Sequence, residues 1–141
     1  MKQENSKNLN YAPRAPITHY DLSEEIVAFL NDIIIVEGAK DVISLQALGF
    51  TRVVALHVPN CSLPKRAEQI ANIALPTDRV HILTDLDVRG KKMYSAIKPH
   101  LQQAGLHLST KLRALLLIYG ISHVEGLYQF LRKNEINLTT V

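Results

Sequence analysis

Two short apolar runs, each ending at a carboxylate, constrain this chain more than any other feature. Ile33-Ile34-Ile35-Val36 is closed by Glu37, and Val80-His81-Ile82-Leu83 leads into Asp85 and Asp87. Runs this short and rich in β-branched residues, with no alternation, are the pattern of strands buried on both faces of a parallel sheet. Each run passes through a glycine-containing turn into a helical pattern. The first turn is Glu37-Gly38-Ala39-Lys40-Asp41 and the second is Asp85-Leu86-Asp87-Val88-Arg89-Gly90-Lys91. In open α/β sheets, ligands bind in the crevice beyond the carboxyl ends of the strands. Glu37, Asp85 and Asp87 are therefore expected to converge at one edge of the sheet. Three close carboxylates repel one another unless a cation neutralises them, and oxygen donors suit Mg²⁺, with Mn²⁺ as a substitute.

The rest of the chain alternates strand and helix patterns. Residues 1–20 are polar, carry Pro13 and Pro16 and show no period, which predicts a flexible leader. Residues 21–141 read as a single domain. Asp21-Leu22-Ser23-Glu24 has the spacing of a capping box before a short helix at about 22–31. Strands are predicted at about 32–37, 52–57, 79–84 and 106–109. A helix over about 39–48 should bury Val42, Ile43, Leu45 and Leu48 and stop at Gly49. Ser62 and Pro64 open a second helix, ended by Pro76. A third runs over about 89–103. Two more, Lys111–Tyr119 and His123–Lys133, are broken at Gly120. The expected architecture is α/β, a parallel sheet of about four strands with helices on both faces.

Composition narrows the function classes. From Arg79 onward nine Lys/Arg face four acids, Asp85, Asp87, Glu125 and Glu135. A basic half around an acidic pocket suits a polyanion whose phosphates approach a metal, although a solvated basic surface reads the same way. No apolar stretch approaches a membrane span and the N-terminus lacks a signal-peptide pattern. The single cysteine, Cys61, cannot form an internal disulfide, so a cytoplasmic protein without membrane contact is expected. No Gly-x-x-x-x-Gly-Lys-Ser/Thr or Gly-x-Gly-x-x-Gly is present, so a nucleotide-cofactor fold has no fingerprint.

Val36-Glu37-Gly38-x-x-Asp41, followed by a strand ending Asp85-x-Asp87-x-x-Gly90, resembles the Toprim domain. That domain is shared by topoisomerases, DnaG-type primases, old-family nucleases, recombination proteins and a ribosomal-RNA maturation ribonuclease. The stretch from about Asp32 to Leu131 is similar to small stand-alone Toprim proteins, mostly archaeal, that sit nearest the ribonuclease. Gly120-Ile121-Ser122-His123-Val124-Glu125-Gly126-Leu127 is similar to a segment that follows their sheet. The resemblance implies a Rossmann-like fold, a Mg²⁺ site on Glu37, Asp85 and Asp87, and nucleic acid as partner, RNA ahead of DNA. Glu37 is then a ligand or the acid/base serving the leaving oxygen. Some Toprim proteins carry a third acid two residues after the second Asp; here that residue is Arg89.

Each candidate has a plainer reading. Glu37 as a strand-end residue could cap the next helix. Asp85 and Asp87, two apart on an extended segment, face the same way, but an Asx-type turn places Asp there too. Lys40, Arg89, Lys91 and Lys92 sit at helix starts, where cations oppose the helix dipole. Their placement makes sense if they meet phosphate or the acids. His123 and Glu125 are auxiliary candidates, for a general base or an outer-sphere ligand, against a structural His. Three functions are weighed in order: a Mg²⁺-dependent nucleic-acid phosphodiesterase, a non-catalytic nucleic-acid-binding or assembly module, and a small-molecule phosphotransfer enzyme.

Overall fold

A computed structural model describes residues 19–132. The expected leader lies outside the described residues as far as residue 18, as does Lys133, expected to end the last helix. The described elements run α1 (His19–Ile26), a 3₁₀ turn (Val27–Phe29), β1 (Ile33–Val36), α2 (Ala39–Leu48), β2 (Arg52–Ala55), α3 (Leu63–Ile73), β3 (Val80–Ile82), α4 (Val88–Gln103), β4 (Leu108–Ser109), α5 (Lys111–Ile118) and α6 (Val124–Arg132).

The four strands form one parallel sheet in the order β2-β1-β3-β4. The two all-apolar runs are its central strands. Ile33, Ile34, Ile35 and Val36 are all fully buried, each side chain contributing about 1.5–3 kcal/mol of apolar burial. Alternate residues serve opposite faces. Ile34 and Val36 join a core with α1, α2, α5 and α6, while Ile33 and Ile35 pack with α3 and α4. Helices therefore cover both faces. The edge strand β2 is less buried, as its Arg52 requires.

Several helix ends follow from local chemistry. Ser62 Oγ accepts the Lys65 N–H at 3.3 Å and caps α3. Gly49 ends α2 at φ 113°, a left-handed conformation that favours glycine. Two expectations need correction. Ile43 is 66% exposed and does not join the core; α2 turns that face to solvent while Leu45 and Leu48 are buried. The first helix begins at His19, so Asp21 lies in its first turn and does not precede it. None of the described helices is long and apolar enough to cross a membrane.

Candidate metal centre at the switch point of the sheet

After β1 the chain turns outward to β2, whereas β3 lies on the other side of β1. The loops leaving β1 and β3 therefore diverge, opening the crevice where such sheets bind ligands. Glu37 follows β1 and is 6% exposed. Its Oε2 accepts the backbone N–H of Asp85 at 2.9 Å, and its Oε1 accepts from Arg89 Nη2 at 3.0 Å. Glu37 thus ties the two loops together and does not cap α2. That turn is closed by Asp41, whose Oδ2 accepts the Gly38 N–H at 3.3 Å.

The second loop is shaped by Asp87 and Gly90. Asp87 Oδ1 accepts the Gly90 N–H at 2.7 Å and caps α4, so the turn reading holds for one of its oxygens. A Cβ on Gly90 would overlap the backbone of Asp85. The glycine is required because the first turn of α4 packs directly on the peptide carrying Asp85. Burial pushes the Asp85 carboxyl above its ordinary pKa, and the negative charges of Glu37, Asp41 and Asp87 add to this; His123 opposes it.

His123 arrives from the turn before α6. The Leu86 N–H donates to the Ser122 carbonyl at 2.8 Å, pinning that turn between the two aspartates. His123 Nε2 lies 3.9 Å from Asp85 Oδ2 and 3.7 Å from Asp87 Oδ2. Its Nδ1 is 2.7 Å from Ser122 Oγ. Asp85, Asp87 and His123 offer two carboxylate oxygens and an imidazole nitrogen within 4.8 Å of one another, a donor set that fits a divalent metal ion. Glu37 stands beside this group with both oxygens engaged.

Arg113 of α5 carried no sequence signal and proves central to the loop. Its Nη1 donates to the carbonyls of Thr84 at 2.7 Å and Ile82 at 3.3 Å, and its Nη2 is 3.5 Å from the Asp85 carbonyl. The guanidinium lies 4.6 Å from the centre of the Tyr94 ring. It closes the end of β3 from behind. Asp41, the last residue of the first acidic motif, is raised above its ordinary pKa by burial first, with Glu37 and Glu125 adding to the shift. Glu125 is exposed on α6 and accepts from Gln129 at 3.2 Å, apart from the donor group. Lys40, Arg89, Lys91 and Lys92 are exposed. Val88, Lys91, Lys92, Ser95 and Ala96 line an open groove along α4.

Comparison with known proteins shows the family and the fold. The UPF0292 protein MJ1624 of Methanocaldococcus jannaschii is 32% identical over 105 residues, spanning 71% of this chain and 78% of its own length. The UPF0292 protein PH1700 of Pyrococcus horikoshii is 32% identical over 114 residues, spanning 79% and 83%. A solved structure from Aquifex aeolicus, 23% identical, shares the fold with a TM-score of 0.62, covering 78% of this chain and 98% of that one. Residues 32–114 match the Toprim domain, and the chain belongs to the Toprim family.

Proposed function

We propose that the chain is a divalent-metal-dependent phosphodiesterase acting on nucleic acid, with RNA ahead of DNA. The observation that carries this reading is one juxtaposition. Asp85, Asp87 and His123 gather donor atoms within 4.8 Å beside the exposed cations Arg89, Lys91 and Lys92 on α4. Toprim membership ties such an acidic edge to metal-dependent work on nucleic acid. The preference for RNA rests on the resemblance to the ribosomal-RNA maturation ribonuclease.

Asp85 and Asp87, with His123 or Glu37, would hold the ion; when bound it supplies positive charge to a phosphoryl oxygen. The remaining work falls to the chain's own groups. Lys91 and Lys92, along the α4 groove, and Lys40, at the start of α2, hold backbone phosphates and fix register without reading bases. The Arg89 side chain is 78% exposed and paired with a single oxygen of Glu37. A phosphate competes well for such an arginine. When Arg89 leaves, Glu37 Oε1 is released to take a proton from the attacking water or hydroxyl and then to return it to the leaving oxygen.

A second reading, a binding or assembly module without turnover, is favoured by one observation: both Glu37 oxygens are already engaged. The experiment is paired. Binding is followed by fluorescence anisotropy on structured RNA and single-stranded DNA, and cleavage on the same substrates with Mg²⁺, Mn²⁺ or a chelator. Metal-dependent cleavage supports the enzyme. Tight binding without cleavage in either metal overturns it and leaves the module.

A further inference from the structure

We infer that the ion at this site is bound through the imidazole nitrogen of His123 together with Asp85 and Asp87, and that the mixed donor set selects a first-row transition ion such as Mn²⁺ over Mg²⁺. The inference deepens the proposed metal site and rests on it. Mg²⁺ favours an all-oxygen octahedron and keeps much of its water, whereas first-row transition ions accept an imidazole nitrogen more readily than Mg²⁺ does. A third protein oxygen ligand here would need Glu37 to turn inward. Its Oε2 holds the partly buried turn after β3 by accepting the Asp85 N–H at 2.9 Å, and its Oε1 holds Arg89 at 3.0 Å. Turning it would strand a backbone donor.

His123 is already in place. Its Nε2 stands 3.7 Å and 3.9 Å from the two aspartate oxygens, too far for hydrogen bonds. Donors each about 2.1 Å from a shared ion stand roughly 3–4 Å apart, so this spacing suits an ion held between them. The far nitrogen, Nδ1, is engaged by Ser122 Oγ at 2.7 Å, which orients the ring with Nε2 toward the carboxylates. The main-chain bond from Leu86 N–H to the Ser122 carbonyl at 2.8 Å fixes the turn on the loop that carries both aspartates. This anchor does not depend on the side chains it aligns.

The test uses the full chain, titrated calorimetrically with Mn²⁺ and separately with Mg²⁺, alongside His123→Gln and Asp85→Asn. Pulsed electron paramagnetic resonance on the Mn²⁺-loaded protein reads nitrogen coupling to the metal. The unaltered protein should bind Mn²⁺ about tenfold or more tighter than Mg²⁺ and show histidine nitrogen coupling. His123→Gln should weaken Mn²⁺ about 10–100-fold, change Mg²⁺ little, and lose the coupling. Equal affinities for the two ions, or Mn²⁺ bound without nitrogen coupling, overturn the inference and leave an all-oxygen site. Absence of Mn²⁺ binding, or binding untouched by Asp85→Asn, overturns the metal site itself and this inference with it. His123 is 46% exposed, so the substituted chain should fold; the coupling in the unaltered protein decides even if it does not.

Discussion

Glu37 accepts the backbone N–H of Asp85 across 48 residues of sequence, so the carboxylate after one central strand holds the peptide after the other. Glu37→Ala leaves that donor without its partner and should destabilise the fold by about 1–3 kcal/mol. Glu37→Gln keeps an acceptor and loses only the pair with an exposed arginine, worth about 0–1 kcal/mol. Urea unfolding of both variants checks this ordering. If Glu37 moves a proton, turnover in the Gln variant falls about 10²–10⁴-fold while binding persists.

Gly90→Ala should lose both stability and metal affinity. Ala gains about 1 kcal/mol of helix propensity over Gly. The added Cβ meets the Asp85 backbone, which cannot swing aside as a side chain could. Overpacking of this kind costs about 1–3 kcal/mol, and relief requires Asp85 to move. Thermal unfolding and a Mn²⁺ titration on the same sample read the two effects. Unchanged affinity would show that Asp85 keeps its place without this contact.

Arg113→Lys and Arg113→Met separate positioning from charge. Both lose the two-nitrogen fork that holds the Ile82 and Thr84 carbonyls through Nη1 and the Asp85 carbonyl through Nη2. If the fork positions Asp85, both should weaken Mn²⁺ binding. If only the charge matters, Lys should bind as the unaltered protein does, and Met should bind more tightly. If Arg113 is merely structural, the melting temperature falls in both variants and Mn²⁺ affinity holds.

Nucleic-acid affinity should fall steeply with salt, each neutralised phosphate adding about 0.7–0.9 to the slope of log K against log salt. Replacing Lys91 and Lys92 with Ala should flatten that slope. A slope near zero in the unaltered protein would count against a polyanion ligand. Anisotropy titrations between low and physiological salt give the value.

Stability should decline as pH falls, in two separate windows. Burial lowers the pKa of His81 below its ordinary 6.5, while Asp32 opposes this and the Arg79 charge adds to it. The unfolded chain protonates this histidine first, so stability present above about 6.5 is lost as pH drops toward the lower folded value. Asp78, held by Arg52, is lowered from 3.8 to about 2, so its contribution is present above 3.8 and disappears as pH falls through about 2. His81→Gln should flatten the upper window alone in urea midpoints measured from pH 8 to 5.

What could be read beforehand was local. The run Ile33–Val36 and the bounds of α2 follow from residues within a few positions of one another. Asp85-x-Asp87-x-x-Gly90 was legible because cap, carboxylates and close approach fall within six residues. Arg113 was not, because its partners are carbonyls 28–31 residues earlier, and a carbonyl leaves no mark in a sequence. His123 could be named only as an auxiliary, since the Leu86 to Ser122 bond that places it depends on how α5 and α6 fold back. Ile43 failed for the converse reason: its helix offers more apolar residues than the sheet can cover.

The brackets around β1 bear on how the chain survives before it is folded. Four consecutive β-branched residues are adhesive in an unfolded polypeptide, and their hydrogen-bonding edges are satisfied only when β2 and β3 have both arrived. Asp32 on one side and Glu37 on the other cut the sticky stretch to four residues, short of the roughly six or seven that self-stacking segments use. Charges flanking an unavoidable apolar strand discourage intermolecular pairing during synthesis. Glu37 therefore guards the nascent chain as well as joining the finished loops. An apolar replacement at this position would show itself first as insoluble protein during expression, before any assay of binding or cleavage could begin.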